Sequence, residues 1–239
     1  MRASQFEFEQ RFWFIGAIFG MGFSLNAIDR TNVAVAVVRL VARYVTLDEA
    51  AQTTALQVVF AAGAGLVFAA AFLRTWAAAY LRTAVVHDAT QHSETLVADG
   101  PYRYVRNPLY LANLPLVAGV GVMASRLGWL VMVGGMWLFV YRLILREEEG
   151  LLQSQGASYR AYLNAVPRLL PSLTPRVASG SGQPHWGQAI GGEMFGWLMG
   201  VAVLCFALTL NLKLAGVAFF SSFAVYFLVV PLIKKRASR

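Results

Sequence analysis

Long apolar runs alternate with short polar connections along most of the chain. A helix needs about 20 mostly apolar residues to span the hydrocarbon core of a bilayer. Five runs come close to or exceed this length, and a shorter uncharged run precedes them. They predict six transmembrane helices, at residues 12–28, 54–81, 107–125, 127–145, 194–212 and 214–233. The pattern therefore predicts an all-α integral membrane protein.

The apolar run at 33–45 differs from these six because Arg39 and Arg43 lie four residues apart in it, on one helical face. This pattern favours a helix in the membrane interface, although a crossing is left open. Small residues at 61–65 and at Gly134 and Gly135 predict places where helix backbones approach closely.

The chain divides into four parts by composition. Residues 1–53 hold the first membrane helix and the interfacial helix, and residues 54–176 form a core of helices and polar connections. Glycine and serine within 177–193 predict a flexible linker. Residues 194–239 form a C-terminal pair of transmembrane helices.

Composition excludes a soluble or disordered chain, because 58% of the residues are hydrophobic and only 13% are charged. The net charge is +8, and six crossings place the basic connections 82–106 and 146–176 on one side with both termini. The positive-inside rule makes that side cytoplasmic. A single cysteine, Cys205, excludes a Cys-based zinc site, and no basic face favours nucleic acid. We therefore expect membrane lipids as partners, without nucleic acid or metal.

Two polar patches meet at the base of the hairpin formed by residues 107–145. The first runs from Glu94 to Tyr110 and contains an Asp-Gly-Pro turn and an Asn-Pro break. The second begins with Arg146 and the three glutamates at 147–149. Carboxylates at a cytoplasmic helix end oppose the helix dipole and are repelled by anionic lipids. Their position therefore predicts a cationic partner.

The ordered motifs of these patches carry a resemblance. Leu-Val-x-x-Gly-x-Tyr at 96–102 precedes Arg-Asn-Pro-x-Tyr at 106–110, and the hairpin then leads to the glutamates, to Gly-x-x-Tyr-x-x-Tyr at 156–162 and to Val-Pro-x-x-x-Pro at 166–171. The set resembles the isoprenylcysteine carboxyl methyltransferase family, to which phospholipid N-methyltransferases are related. Two positions depart from that family, since Asn107 and Glu94 stand where it has histidine.

The resemblance implies a membrane enzyme that uses S-adenosylmethionine at the cytoplasmic base of the hairpin, with a lipophilic acceptor entering from the bilayer. Glu147 and Glu148 can accept hydrogen bonds from the cofactor's ammonium or ribose. Arg106 can pair with a carboxylate of the cofactor or acceptor. Residues expected to act in catalysis are Arg106 and Tyr110. Residues expected to bind the cofactor are Glu94, Leu96, Val97, Gly100, Tyr102, Arg106, Asn107, Pro108, Glu147 and Glu148.

Four functions remain open, led by methylation of the carboxylate of a prenylated cysteine or similar lipophilic acceptor. Methylation of a phospholipid or other lipid amine is second, and needs a base such as His87, His92 or Glu94. A sterol-reductase-like enzyme and a non-enzymatic membrane protein are the others. Two arginines lie inside predicted helices: Arg74 is expected to extend to the interface, and Arg142 to pair with Glu149 or its acidic neighbours.

Overall fold

The structure, a computed structural model, describes residues 2–87 and 98–237. These residues contain eight α-helices and no β-strand, which confirms the all-α prediction. The helices are α1 Gln5–Glu9, α2 Arg11–Ser24, α3 Val33–Val41, α4 Glu49–His87, α5 Pro108–Gly121, α6 Arg126–Ala165, α7 Trp186–Thr209 and α8 Leu212–Ala237. Short 3-10 helices are formed by Leu25–Ala27 and Gly100–Arg103.

Three helices of the described residues are long and apolar enough to cross a membrane. They are α4 as far as Leu81, α6 and α7. The apolar helix α5 has only 14 residues, because the chain turns after Gly121 where Met123 and Ala124 donate backbone hydrogen bonds to Val120 and Gly121. The six predicted crossings are therefore not confirmed as six spans.

Helix α6 extends 20 residues beyond the crossing predicted at 127–145, as far as Ala165. Gly156 interrupts it with φ 58° and ψ −123°, a conformation that glycine adopts without the steric cost of a side chain. The three glutamates at 147–149 consequently lie within a helix and not at its end. The prediction that they oppose a C-terminal dipole was wrong, because the sequence after them continues the helix.

The helix predicted within residues 33–45 is present but shorter, and its place in the membrane interface stays a prediction. Helix α3 ends at Val41, and its nine residues are too few to cross a bilayer. The Asn32 side chain caps its start by accepting from the backbone of Ala34 at 2.8 Å. Ala34 and Val38 are buried on one face, whereas Arg39 is exposed.

Helix α4 lies between α5 and α7, while α6 packs against α5 and α2. Helices α4 and α5 approach each other closely at Gly63 and Gly119: a Cβ atom on Gly63 would lie 2.9 Å from the Gly119 carbonyl oxygen. The predicted close approach at 61–65 is therefore confirmed. Gly134, by contrast, has no described residue within 4 Å of an added Cβ atom, so the close approach expected there was wrong.

Helix α7 begins at Trp186 and packs along the core helix α4. Trp197 donates its indole N–H to Thr75 at 2.9 Å. Arg74 pairs with Glu193, with 2.6 Å between Nε and Oε2. The expectation that Arg74 extends to the interface stays a prediction, and α7 supplies a carboxylate beside it that the sequence did not reveal.

Asp99 fixes the glycine- and serine-rich segment that precedes α7. Its carboxylate accepts from the backbone N–H of Gly180 at 2.7 Å and of Gly182 at 3.1 Å. A Cβ atom on either glycine would lie within 2.8 Å of the Asp99 carboxylate, so both positions favour glycine. The segment expected to be a flexible linker is thus bound to the start of the 3-10 helix at Gly100–Arg103.

Candidate functional site

Glu148 lies at the centre of a buried ionic network and is only 6% exposed. Its Oε1 accepts from Arg106 Nε at 3.0 Å and from Asn107 Nδ2 at 3.1 Å. Its Oε2 accepts from Arg168 Nε at 3.0 Å and lies 2.8 Å from Arg168 Nη2. Both carboxylate oxygens of Glu148 are therefore occupied by partners from the same chain.

Arg106 joins the start of α5 to the end of α6. Its Nη1 donates to the carbonyls of Leu163 and Val166, the latter at 2.8 Å. Its backbone N–H donates to the carbonyl of Pro167 at 2.9 Å. Carbonyls in the last turn of a helix lack intrahelical partners, and a cation there also complements the dipole. The Arg-Asn-Pro motif thus secures the end of α6.

Arg168 is part of this network, although sequence reasoning did not single it out. It neutralises Glu148 on the side opposite Arg106, and its Nη1 donates to the Tyr141 hydroxyl at 3.2 Å. The available signal was its place in the Val-Pro-x-x-x-Pro motif of a polar segment. Its partner could not be inferred, because 20 residues separate it from Glu148.

Glu147 precedes Glu148 in α6 and faces a different environment, since adjacent helical residues point about 100° apart. Glu148 and Glu149 form ion pairs with arginines, whereas Glu147 has none among the described residues. The Tyr110 hydroxyl lies beside its carboxylate, and the Tyr102 phenol is within electrostatic range of it. Glu147 therefore offers a partly buried carboxylate without a cationic partner.

A cavity of about 750 Å³ opens beside Glu147. Phe8, Arg146 and Gly150 contribute to its lining, so its walls come from α1 and the middle of α6. Cavities of roughly 300–1,000 Å³ are usual for small-molecule ligands. Of the expected site residues that the structure describes, only Glu147 lines this cavity, and its carboxylate makes the cavity the candidate cofactor site.

The segment around α1 forms one wall of this cavity and is fixed to α6. Ala3 donates its backbone N–H to the Arg142 carbonyl at 3.1 Å, and its own carbonyl accepts from Arg146 at 3.2 Å. Arg142 Nη2 lies 2.9 Å from Glu7 Oε2, and Arg2 pairs with Glu149. The expectation that Arg142 pairs with Glu149 or its acidic neighbours was wrong, because α1 supplies Glu7.

The remaining described site residues surround the 3-10 helix that leads into α5. Tyr102 is buried, which raises the pKa of its phenol, and its carbonyl accepts from the Tyr162 hydroxyl at 2.7 Å. Gly100 has φ +57° and faces the Tyr80 ring. Pro108 is buried as the first residue of α5, where its missing N–H is not needed.

The structure thus brings Gly100, Tyr102, Arg106, Asn107 and Pro108 together near α6. Tyr110, Glu147 and Glu148 lie in the same region. The predicted cofactor residues Glu94, Leu96 and Val97, together with His92, lie outside the described residues. Over residues 2–87 and 98–237, no group of three or more His, Cys, Asp or Glu side chains is placed to hold a metal ion.

Comparison with known proteins bears directly on this region, because the matching segment contains α5, the glutamates and most of α4 and α6. Residues 58–155 match the phospholipid methyltransferase family. That family belongs to the same group of membrane methyltransferases as the isoprenylcysteine carboxyl methyltransferases. The resemblance found in the sequence is therefore confirmed over this segment, which is about two fifths of the chain.

Two curated proteins are similar to part of the chain. The cobalt-zinc-cadmium resistance protein CzcN of Cupriavidus metallidurans is 30% identical over 82 residues, which are 34% of this chain and 38% of that protein. The nickel-cobalt-cadmium resistance protein NccN of Alcaligenes xylosoxydans xylosoxydans is 28% identical over 82 residues, which are again 34% of this chain and 38% of that protein. The chain thus spans well under half the length of these relatives. No solved structure matches it.

Proposed function

We propose that the protein is an S-adenosylmethionine-dependent methyltransferase that methylates the carboxylate of a prenylated cysteine or a similar lipophilic acceptor in the membrane. The observation that carries this proposal is the position of Glu147. It is the member of the glutamate triplet without an ion pair among the described residues, and it lines a cavity of suitable size. A carboxylate in that position is suited to a cationic ligand.

Glu147 and the residues near it fit the charges of this cofactor, which supplies an electrophilic methyl group on a sulfonium. Glu147 would accept hydrogen bonds from its ammonium or ribose hydroxyls. The rings and hydroxyls of Tyr102 and Tyr110 would adjoin the same ligand, and a cation over an aromatic face gains about 0.5–2 kcal/mol. Glu148 and Arg106, with Asn107, would hold α5 against α6 and so fix the position of Tyr110 relative to Glu147.

A carboxylate acceptor agrees with this arrangement because it is already ionised and needs no general base. The chain would then have to hold the two reactants in line and exclude water. Methylation of a phospholipid amine is the second candidate, and the name of the matching family favours it. That reaction requires a proton acceptor near the amine. The two relatives are named for metal resistance, and we propose no metal-dependent step from those names.

The direct test uses the full chain in lipid nanodiscs with isotope-labelled S-adenosylmethionine. S-farnesyl-N-acetylcysteine and phosphatidylethanolamine are offered separately, and the product mass is measured. We expect a mass increase of one methyl group on the prenylated cysteine. Transfer to phosphatidylethanolamine alone would support the second candidate, and no cofactor binding by calorimetry in folded protein would refute both.

A further inference from the structure

A second polar cluster lies among the apolar helices, between α4, α5 and α7. Arg74 forms a two-point pair with Glu193, with Nε 2.6 Å from Oε2 and Nη2 3.3 Å from Oε1. Arg74 Nη1 donates to Asn113 Oδ1 at 3.3 Å. Asn113 is only 7% exposed. Ionisable side chains in apolar helices are costly to bury and usually mark a functional site.

This cluster borders the candidate cofactor site. Asn113 lies three residues after Tyr110 in α5, so both side chains project from one face of that helix. Tyr110 adjoins Glu147 on that face, and Asn113 contacts Arg74. The Tyr102 phenol is within electrostatic range of both Arg74 and Glu147. A ligand held at Arg74 would therefore lie across these two tyrosines from a ligand held at Glu147.

We propose that Arg74, with Asn113, binds the anionic head group of the lipophilic acceptor, and that Glu193 is the internal counter-ion which this anion displaces. The inference rests on the proposed function and names the part of the acceptor that the chain recognises: a carboxylate or a phosphate. Guanidinium groups bind both anions through paired hydrogen bonds. Glu193 lies in α7, outside the matching segment 58–155, so α7 would complete the acceptor site.

Two single variants distinguish a counter-ion role of Glu193 from a purely structural ion pair, because the two roles predict different changes in anion binding. If Glu193 competes with the acceptor, Glu193→Gln frees Arg74 and tightens anion binding, whereas Arg74→Gln weakens it. If the pair only fastens α7 to α4, both variants break the same contact and impair binding and thermal stability together. Opposite changes in anion binding in the two variants would therefore indicate that the pair recognises the acceptor, and parallel losses would indicate that it only packs the helices.

The experiment measures dissociation constants in detergent for S-farnesyl-N-acetylcysteine, its neutral methyl ester and a short-chain phosphatidylethanolamine. We expect the wild-type chain to bind one of the two compounds that carry an anionic group, the carboxylate of the acid or the phosphate of the zwitterionic phospholipid, at least tenfold more tightly than the ester. Arg74→Gln should remove this preference and Glu193→Gln should strengthen binding severalfold. Asp29→Asn is the matched control, because it removes the ion pair with Arg126, which lies outside the cluster.

Calorimetry with S-adenosylmethionine on the same variants separates this inference from the proposed function. Cofactor affinity should change less than twofold in every variant. If Arg74→Gln does not fold, Arg74→Lys retains the charge and should retain the preference for the anionic group over the ester. Glu193→Gln then still tests whether loss of the counter-ion strengthens anion binding. Equal binding of acid, ester and phospholipid, or a shared loss in both variants, would overturn the inference even where cofactor binding persists. Failure of the wild-type chain to bind the cofactor would refute the proposed function instead.

Discussion

Glu147 and Glu148 are consecutive residues of α6 with opposite electrostatic environments. Glu148 is buried against Arg106 and Arg168, which occupy both of its oxygens. Glu147 has no ion pair among the described residues and lines the cavity, and the Tyr110 hydroxyl lies beside its carboxylate. One helical step of about 100° therefore separates a carboxylate that holds the fold together from one that is available to a ligand.

This difference predicts distinct effects of the same substitution at neighbouring positions. Glu147→Gln should weaken S-adenosylmethionine binding about tenfold to a hundredfold, since a charge-assisted hydrogen bond is worth about 1.5–3 kcal/mol. Its melting temperature should change little. Glu148→Gln should instead lower stability by about 3–5 kcal/mol, because the buried Arg106 loses its counter-charge and the partly exposed Arg168 loses its partner. Calorimetry and thermal scans in detergent measure the two effects.

Glu149→Gln is the matched control for both variants, because Glu149 lies in the same helix and also lines the cavity, but its charge is paired with the largely exposed Arg2. We expect only a small change in cofactor affinity and in melting temperature, since exposed ion pairs contribute about 0–1 kcal/mol. Equal loss of cofactor affinity in the Glu147 and Glu149 variants would contradict the assignment of Glu147.

The sequence was sufficient to predict the helical class and the meeting of the two polar patches, because apolar runs and ordered motifs are local features. It did not reveal which glutamate is left without an ion pair and so available to a ligand. That depends on pairing with Arg106, Arg168 and Arg2, which lie far from the triplet in the chain. The partners Glu7 and Glu193 were missed for the same reason. Ion pairs between distant helices have no fixed sequence spacing.

Arg106→Lys tests the junction between α5 and α6. Lysine keeps the charge but has one compact donor group, so it cannot reach Glu148 and the Leu163 and Val166 carbonyls together. We expect the melting temperature to fall, with a stability loss of about 1–3 kcal/mol from unsatisfied buried groups. Turnover should fall as well, because Tyr110 loses its fixed position.

Arg103→Lys is the comparison for this variant, because Arg103 also donates to a backbone carbonyl, that of Val177 at 3.0 Å, but is not among the ion-pair partners of Glu148. It should lower the melting temperature less than Arg106→Lys does. If Arg106→Lys left both melting temperature and turnover unchanged, Arg106 would be a surface anchor and the junction would have no energetic role.

The contact between Gly63 and Gly119 predicts that added volume separates α4 from α5. Gly119→Ala would place a Cβ atom 2.9 Å from Val67 and against the Gly63 carbonyl, and overpacking of this kind costs about 1–3 kcal/mol. Gly134→Ala in α6 is the control, because no atom lies within 4 Å of its added Cβ. It should be neutral or stabilising by about 0.5–1 kcal/mol. Thermal scans that ranked the two variants in the reverse order would refute the close helix contact.

The orientation of the candidate site gives the last prediction. Asn32 donates to the Ala124 carbonyl and Gln57 donates to the Leu208 carbonyl, so these residues gather at one end of the helices. The glutamate network lies at the other end, beyond 20 or more residues of α6. The excess of arginine in the connections 82–106 and 146–176 predicts that this second end is cytoplasmic. S-adenosylmethionine would then reach the cavity from the cytoplasm.

Single cysteines introduced at the exposed positions Asp48 and Arg160 test this in a Cys205→Ala background, which removes the native thiol. In intact cells a membrane-impermeant maleimide should label position 48 and leave position 160 unlabelled. After membrane disruption both should react, which controls for reactivity. Labelling of position 160 in intact cells would place the cavity outside and deprive it of cytoplasmic cofactor, so the same result would weigh against the proposed methyltransferase activity.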